Sequence, residues 1–154
     1  MSNEISQLLI EAIGHDNAGN YLNMVEVGKK AVQLYPDVPE AHYVLGCGYM
    51  RSGSYELATN SFQNSVLKKP DCVEALNALA ICYFNLGKFR KAEKFFSVVI
   101  RKKPDYARAY YSRAECWMLM GAIDSVFAEW SLLSTVDRNL ASTLQQRFFK
   151  FLMS

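Results

Sequence analysis

The chain has 154 residues, room for one domain or a short solenoid. Its 51% hydrophobic and 13% aromatic content excludes a disordered chain, and a net charge of +2 points to no particular partner. Only 4 Pro and 8 Gly, set among long stretches of Ala, Leu, Glu and Lys, favour helices over short strands and turns.

The opening segment, MSNEISQLLIEAIGHD, has no basic flank, and Glu11 interrupts its apolar run, so it does not read as a signal peptide. No stretch approaches the roughly 18 uninterrupted apolar residues of a membrane span. A cytoplasmic location is expected. The segment instead predicts a helix over 5–17, closed near Gly19, followed by a second over 20–35 that stops at Pro36. The pattern then repeats. Helices are expected at 39–52 and 54–69, at 73–86 and 88–102, and at 107–120 and 122–136. Gly19, Gly53, Gly87 and Gly121 are spaced by 34 residues, and so are Pro36, Pro70 and Pro104. A glycine at each such place can close one helix through a φ > 0 turn and start the next. The fourth proline position holds Arg138. Small residues share one column (Ala12, Gly46, Ala80, Ala114), as needed where the two helices of a pair cross closely. The tail predicts a ninth helix with Leu140, Leu144, Phe148, Phe151 and Leu152 along one face, suited to cap the last repeat. Phe149 and Met153 lie off that stripe and keep a partner-binding helix open as the alternative.

Two stretches, VLGCGYMRSGSYELATNSFQNSVLKKPD and ALAICYFNLGKFRKAEKFFSVVIRKKPD, resemble tetratricopeptide repeats. The first carries the pattern as Leu45, Gly46, Tyr49, Gly53, Tyr55, Ala58, Phe62 and Pro70. The second carries it as Leu79, Ala80, Tyr83, Gly87, Phe89, Ala92, Phe96 and Pro104. The resemblance implies an all-α protein, a right-handed α-solenoid of four such helix pairs (5–38, 39–72, 73–106, 107–140) plus a C-terminal capping helix over 141–154. The outer repeats depart from the pattern: Glu11, Met24 and Gly28 in the first, Arg113, Val126 and the missing proline in the fourth. Terminal repeats of a solenoid meet solvent on one side, which accommodates such residues.

By the same resemblance, the first helix of each pair lines a concave groove that binds another polypeptide. The residues expected there are Leu9, Ile13, Tyr43, Val44, Cys47, Met50, Asn77, Ile81, Phe84, Asn85, Arg108, Tyr111 and Met118. The set is apolar and aromatic, which favours a protein partner with an apolar segment, with Asn77 and Asn85 able to bond its backbone. A clamp for the Hsp70/Hsp90 C-terminal carboxylate would need cations at the matching positions. Those positions hold Leu9, Ile13, Val44, Glu74 and Ala78, or, one repeat later, Tyr43, Cys47, Ala78, Arg108 and Ser112. Arg108 alone could serve, which argues against the clamp. YYSRAECWMLMG with the later LQQRFFKFL also resembles the last repeat and tail of type III secretion translocator chaperones, which hold an apolar segment until it is handed on. An assembly subunit that self-associates as a homo-dimer through its terminal helices is the further alternative.

Seven basic residues (Lys88, Arg90, Lys91, Lys94, Arg101, Lys102, Lys103) crowd the third repeat and read as the solvated outer face of its second helix, with an acidic protein partner as the alternative and a nucleic-acid site disfavoured. Cys82 and Cys116 share a column with Gly14 and Gly48 and are expected to be small packing residues rather than a disulfide. Gly46-Cys47-Gly48 lies within a helix and cannot be a phosphate loop. With no carboxylate pair, Ser/His/Asp set or metal-ligand spacing around His15 and His42, no enzyme activity, cofactor or metal is expected.

Overall fold

The computed structural model describes residues 3–154. The described residues form α1 (Asn3–Asn17), α2 (Tyr21–Leu34), α3 (Pro39–Arg51), α4 (Tyr55–Lys68), α5 (Val73–Asn85), α6 (Phe89–Lys102), α7 (Ala107–Leu119), α8 (Ile123–Val136) and α9 (Arg138–Leu152), with no strand among them. The fold is all-α, and the first eight helices start and stop within two residues of the positions predicted from the repeat.

The turns explain why a 34-residue period forms helix pairs. Gly53 has φ of +79°, where a side chain would press against the carbonyl that follows. Its N–H donates to the Met50 carbonyl (3.1 Å) and that of Ser54 to the Tyr49 carbonyl (2.8 Å), closing α3 with two bonds that satisfy its last carbonyls. The same pair of bonds recurs at Gly19 with Asn20 and at Gly121 with Ala122. Replacing Gly53 by Ala is expected to cost about 1–2 kcal/mol, read as a lower urea midpoint with unchanged slope.

The proline columns carry a second device. The Nε2–H of His42 donates to the Pro36 carbonyl (2.7 Å), and the Tyr110 hydroxyl, two repeats on in the same column, donates to the Pro104 carbonyl (2.8 Å). A side chain on the following helix thus satisfies a carbonyl left over at the helix end, and this places His42 in a buried structural role.

The helices group into two compact units, one running through Leu86 and the other covering Gly87–Ser154, so that the dividing line passes through the third repeat. In the first unit consecutive helices pack from α1 to α5, with further contacts between α1 and α3 and between α3 and α5. Glycine sets two of these distances. A methyl group on Gly46 would stand 2.7 Å from the fully buried ring of Phe62, and one on Gly28 would stand 2.8 Å from the Leu45 backbone. Gly28, a departure from the repeat pattern, is therefore what lets α2 and α3 approach.

In the second unit, α6 packs on α7, α7 on α8, and α9 on both α7 and α8. The core gathers Tyr110, Ala114, Met118, Val126 and Leu133 with Ala141, Leu144 and Phe148 of α9. The last helix begins at Arg138 rather than at 141. The Asp137 carboxylate accepts the Leu140 N–H (2.9 Å), an N-cap that starts the helix immediately after α8 ends. The predicted apolar stripe is buried at Leu144 and Phe148, whereas Phe151 and Leu152 remain exposed.

Candidate functional site

A cavity of about 390 Å³ opens in the first unit, lined by Leu9, Ile13 and Asp16 of α1, Met24 of α2, and Glu40, Tyr43, Val44, Cys47, Met50 and Arg51 of α3. Leu9, Ile13 and Asp16 come to one side because residues three, four and seven apart share a helix face, and Tyr43, Cys47, Met50 and Arg51 do the same on α3. Six of the thirteen predicted groove residues meet here: Leu9, Ile13, Tyr43, Val44, Cys47 and Met50. Val44 and Met24 are nearly buried and form the floor, while Ile13 is 54% exposed.

Charge is confined to the ends of this cavity, and it is paired. The Arg51 guanidinium forks the Asp16 carboxylate (Nε to Oδ1 3.0 Å, Nη2 to Oδ2 3.3 Å), tying α3 to α1. Glu40 takes an ion pair from Lys69 at 3.3 Å. Between them the polar groups are neutral. Burial pushes the Cys47 thiol up to about 11 and moves the Tyr43 phenol well above its ordinary range. A smaller cavity, about 230 Å³, lies beyond Tyr43 and is lined by Pro39, Glu40, Ser65, Lys69, Cys72 and Glu74. Tyr43 and Glu40 line both cavities, and the Tyr43 ring rests tilted on Phe62, centroid to centroid 5.7 Å.

The other predicted residues are not part of this cavity. Asn77, Ile81 and Phe84 are half-buried on α5, and the exposed Asn85 donates its amide to the Ile81 carbonyl of its own helix (2.9 Å). Arg108 is exposed on α7, and Tyr111 packs half-buried against the core of the second unit. Met118 is a correction: it is only 4% exposed and belongs to the same core cluster as Leu144 and Phe148, because the added helix α9 fills the space beside it. The sequence reading also missed Asp16, Glu40 and Met24. The last had a signal, since a methionine in a column of small residues is long enough to reach across to α3.

A buried polar network in the second unit was missed as well. Glu129 is 1% exposed and is forked by Arg113 (Nε to Oε1 2.9 Å, Nη2 to Oε2 2.8 Å). Arg113 Nη1 donates to Ser97 Oγ (2.9 Å), and that hydroxyl donates to Glu93 (2.9 Å). The guanidinium lies 4.9 Å from the Trp117 ring centroid and 5.8 Å from that of Tyr110. Burial raises the Glu129 carboxyl from its usual value, and Arg113 pulls it back in part. Among the described residues no buried side-chain nitrogen or oxygen lacks a partner.

Residues 49–116 match the sequence model of the tetratricopeptide repeat family. Those residues carry tetratricopeptide repeats. No curated protein matches the sequence. Among solved structures, the chain is similar to a crystal structure of MamA (TM-score 0.84, 23% identity, 91% of this chain and 82% of that one) and to MamA of MSR-1 (0.78, 18%, 90% and 82%). A mutant O-GlcNAc transferase from Thermobaculum terrenum also aligns (0.70, 21% identity), over 77% of this chain but 23% of that one. At such identities the likeness establishes the fold. Tetratricopeptide arrays are protein–protein interaction modules, and the matched family is not a catalytic one. No described helix is long and apolar enough to cross a membrane.

Proposed function

We propose that this protein is a non-enzymatic adaptor whose α1–α3 cavity seats an apolar stretch of a partner polypeptide. The observation that carries this reading is the cavity of about 390 Å³ with an apolar middle and charges neutralised in pairs at its ends. A polar or anionic ligand would find no unpaired cation there, whereas Leu, Met or aromatic side chains would displace water from Leu9, Ile13, Met24 and Met50. Met24 and Met50 let the walls adjust to different side chains. A module of this kind in the cytoplasm acts in a chaperone-like manner, because it keeps a segment that would otherwise self-associate out of water.

The test places a charge where the apolar segment would lie. Ile13→Lys with Met50→Lys is expected to weaken a partner identified by crosslinking in native cytoplasm by at least about tenfold, roughly 1.4 kcal/mol. The thermal midpoint should hardly move, because Ile13 is largely exposed and Met50 only half-buried. A double variant that folds and binds as before removes the cavity from consideration.

A further inference from the structure

The near-neutral total charge conceals a polarised chain. Residues 1–86 hold five Lys and Arg against nine Asp and Glu, and residues 87–154 hold twelve against six. The two recesses that share Glu40 and Tyr43 both lie in the acidic first unit. Four of that unit's five cations are already committed to carboxylates: Lys29 to Glu26 at 2.8 Å, Arg51 to Asp16 at 3.0 Å, Lys68 to Asp37 at 2.9 Å and Lys69 to Glu40 at 3.3 Å.

The two recesses differ in the charge they leave over. In the larger one Arg51 answers Asp16 and Lys69 answers Glu40, so the charges cancel. The smaller one, about 230 Å³, holds Glu40, Glu74 and Lys69, and Lys69 is taken by Glu40. Glu74 is exposed in the first turn of α5. Among the described residues its carboxylate accepts only from the Cys72 thiol, at 3.6 Å. A thiol is a weak donor and brings no charge. One negative charge is therefore left facing water at the mouth of an otherwise neutral site. Burial first, and after it the Cys47 and Cys72 thiols and the Glu74 carboxylate, push the Tyr43 phenol upward, so the charge of Glu74 is felt at the residue common to both recesses.

We propose that the smaller recess, through Glu74, selects a lysine or arginine of the partner segment whose apolar residue fills the larger one. This deepens the adaptor reading above and rests on it. The sign of the partner follows from Glu74 and from the acidic unit around it. The spacing follows from Glu40 and Tyr43, which line both recesses, so that an apolar anchor and a cation a few residues apart reach them together. A carboxylate at the same place in the partner would meet Glu74 as a like charge, and a neutral amide would gain nothing from it. The exposed pair adds little affinity and is screened by salt; its effect is to discriminate between segments that are equally apolar.

The experiment uses the full chain and three dye-labelled peptides, each a short leucine block set in serines and flanked on both sides by Lys, by Gln or by Glu. Binding is read by fluorescence anisotropy at several salt concentrations. At low salt the Lys peptide is expected to bind about three- to fivefold tighter than the Gln peptide, and the Glu peptide weakest, with the differences closing as salt rises. Glu74→Gln should remove the preference for Lys over Gln and leave the affinity for the Gln peptide unchanged. Glu74→Lys should turn the preference towards the Glu peptide. Glu56→Gln removes an exposed carboxylate of the same unit that lines neither recess, and should leave the preference intact. Ile13→Ser with Met50→Ser acts on the larger recess alone and should weaken all three peptides alike. If that double variant weakens them while Glu74→Gln leaves the Lys preference in place, the selection by Glu74 is overturned and the adaptor reading stands. Equal effects of Glu74→Gln and Glu56→Gln overturn it too, because the preference then belongs to the unit's overall charge. If none of the peptides binds, both readings fall. Self-association at low salt that Glu74→Gln removes, in that same case, would assign the recess to the basic half of a second copy of the chain.

Discussion

Arg113→Leu is expected to destabilise the protein by about 3–5 kcal/mol, more than removal of any surface ion pair, because it leaves Glu129 buried and alone. The pair contributes less than that figure suggests. Most of the loss is the cost of the orphaned carboxylate, and the second substitution shows it. Arg113→Leu with Glu129→Met, which restores the leucine found one repeat earlier at Leu79 and supplies a side chain of similar length to glutamate, should return stability to within about 1 kcal/mol of the parent or above it. The single variant carries a pH signature. Without Arg113 the Glu129 carboxyl rises further above its unfolded value, so the folded state binds a proton that the unfolded chain does not hold. Its stability is then greatest in mild acid near the unfolded value of 4.5 and falls as pH rises through the folded value. Urea midpoints at a series of pH values should show the deficit of Arg113→Leu shrinking towards acid and the double variant flat over the same range. A single variant as stable as the parent at neutral pH would mean that Glu129 reaches water in the folded protein.

The second large effect concerns α9. Ending the chain after Asp137 removes Leu144, Phe148 and Ala141 from the core and uncovers Val126, Leu133 and Met118. Leu144→Ala alone is expected to cost about 2–5 kcal/mol and Phe148→Ala about 3–5 kcal/mol, since both side chains are buried to within a few per cent. The two are neighbours and need not add, yet either approaches the whole stability of a small domain, about 5–15 kcal/mol. The truncated chain should therefore lose helical circular dichroism well beyond the share of the fifteen deleted α9 residues. If only that share is lost and the urea midpoint holds, α9 is an arm for a partner rather than part of the fold.

The helices were legible because each repeat is written in residues whose effect is local. A glycine at φ > 0 and a proline past a helix end act through the backbone, and four repeats at one spacing make the signal redundant. The cavity was partly legible for the same reason, since Leu9, Ile13, Tyr43, Cys47 and Met50 follow from helical period and repeat register. What escaped depended on partners distant in sequence. Arg113 and Glu129 each look like surface charges, and only folding shows that they meet inside the second unit. Met118 shares a repeat column with Met50, which lines the cavity, but an additional helix with no counterpart in the repeat packs beside it. The start of α9 was misplaced because the expected proline is absent, and the stop is supplied by an aspartate cap instead.

The glycine at 46 has a consequence for the cavity on the other side of its helix. The Phe62 ring sits within 2.7 Å of where a methyl group would be, and Tyr43 leans on that same ring. The backbone of α3, Phe62 and Tyr43 thus form a stack in series, running from an interior contact to the wall shared by two surface recesses. A displacement of a few tenths of an ångström at one end has no slack in which to dissipate, because packed interiors do not compress. The width of the recess is consequently set from inside the protein by the absence of a single carbon atom.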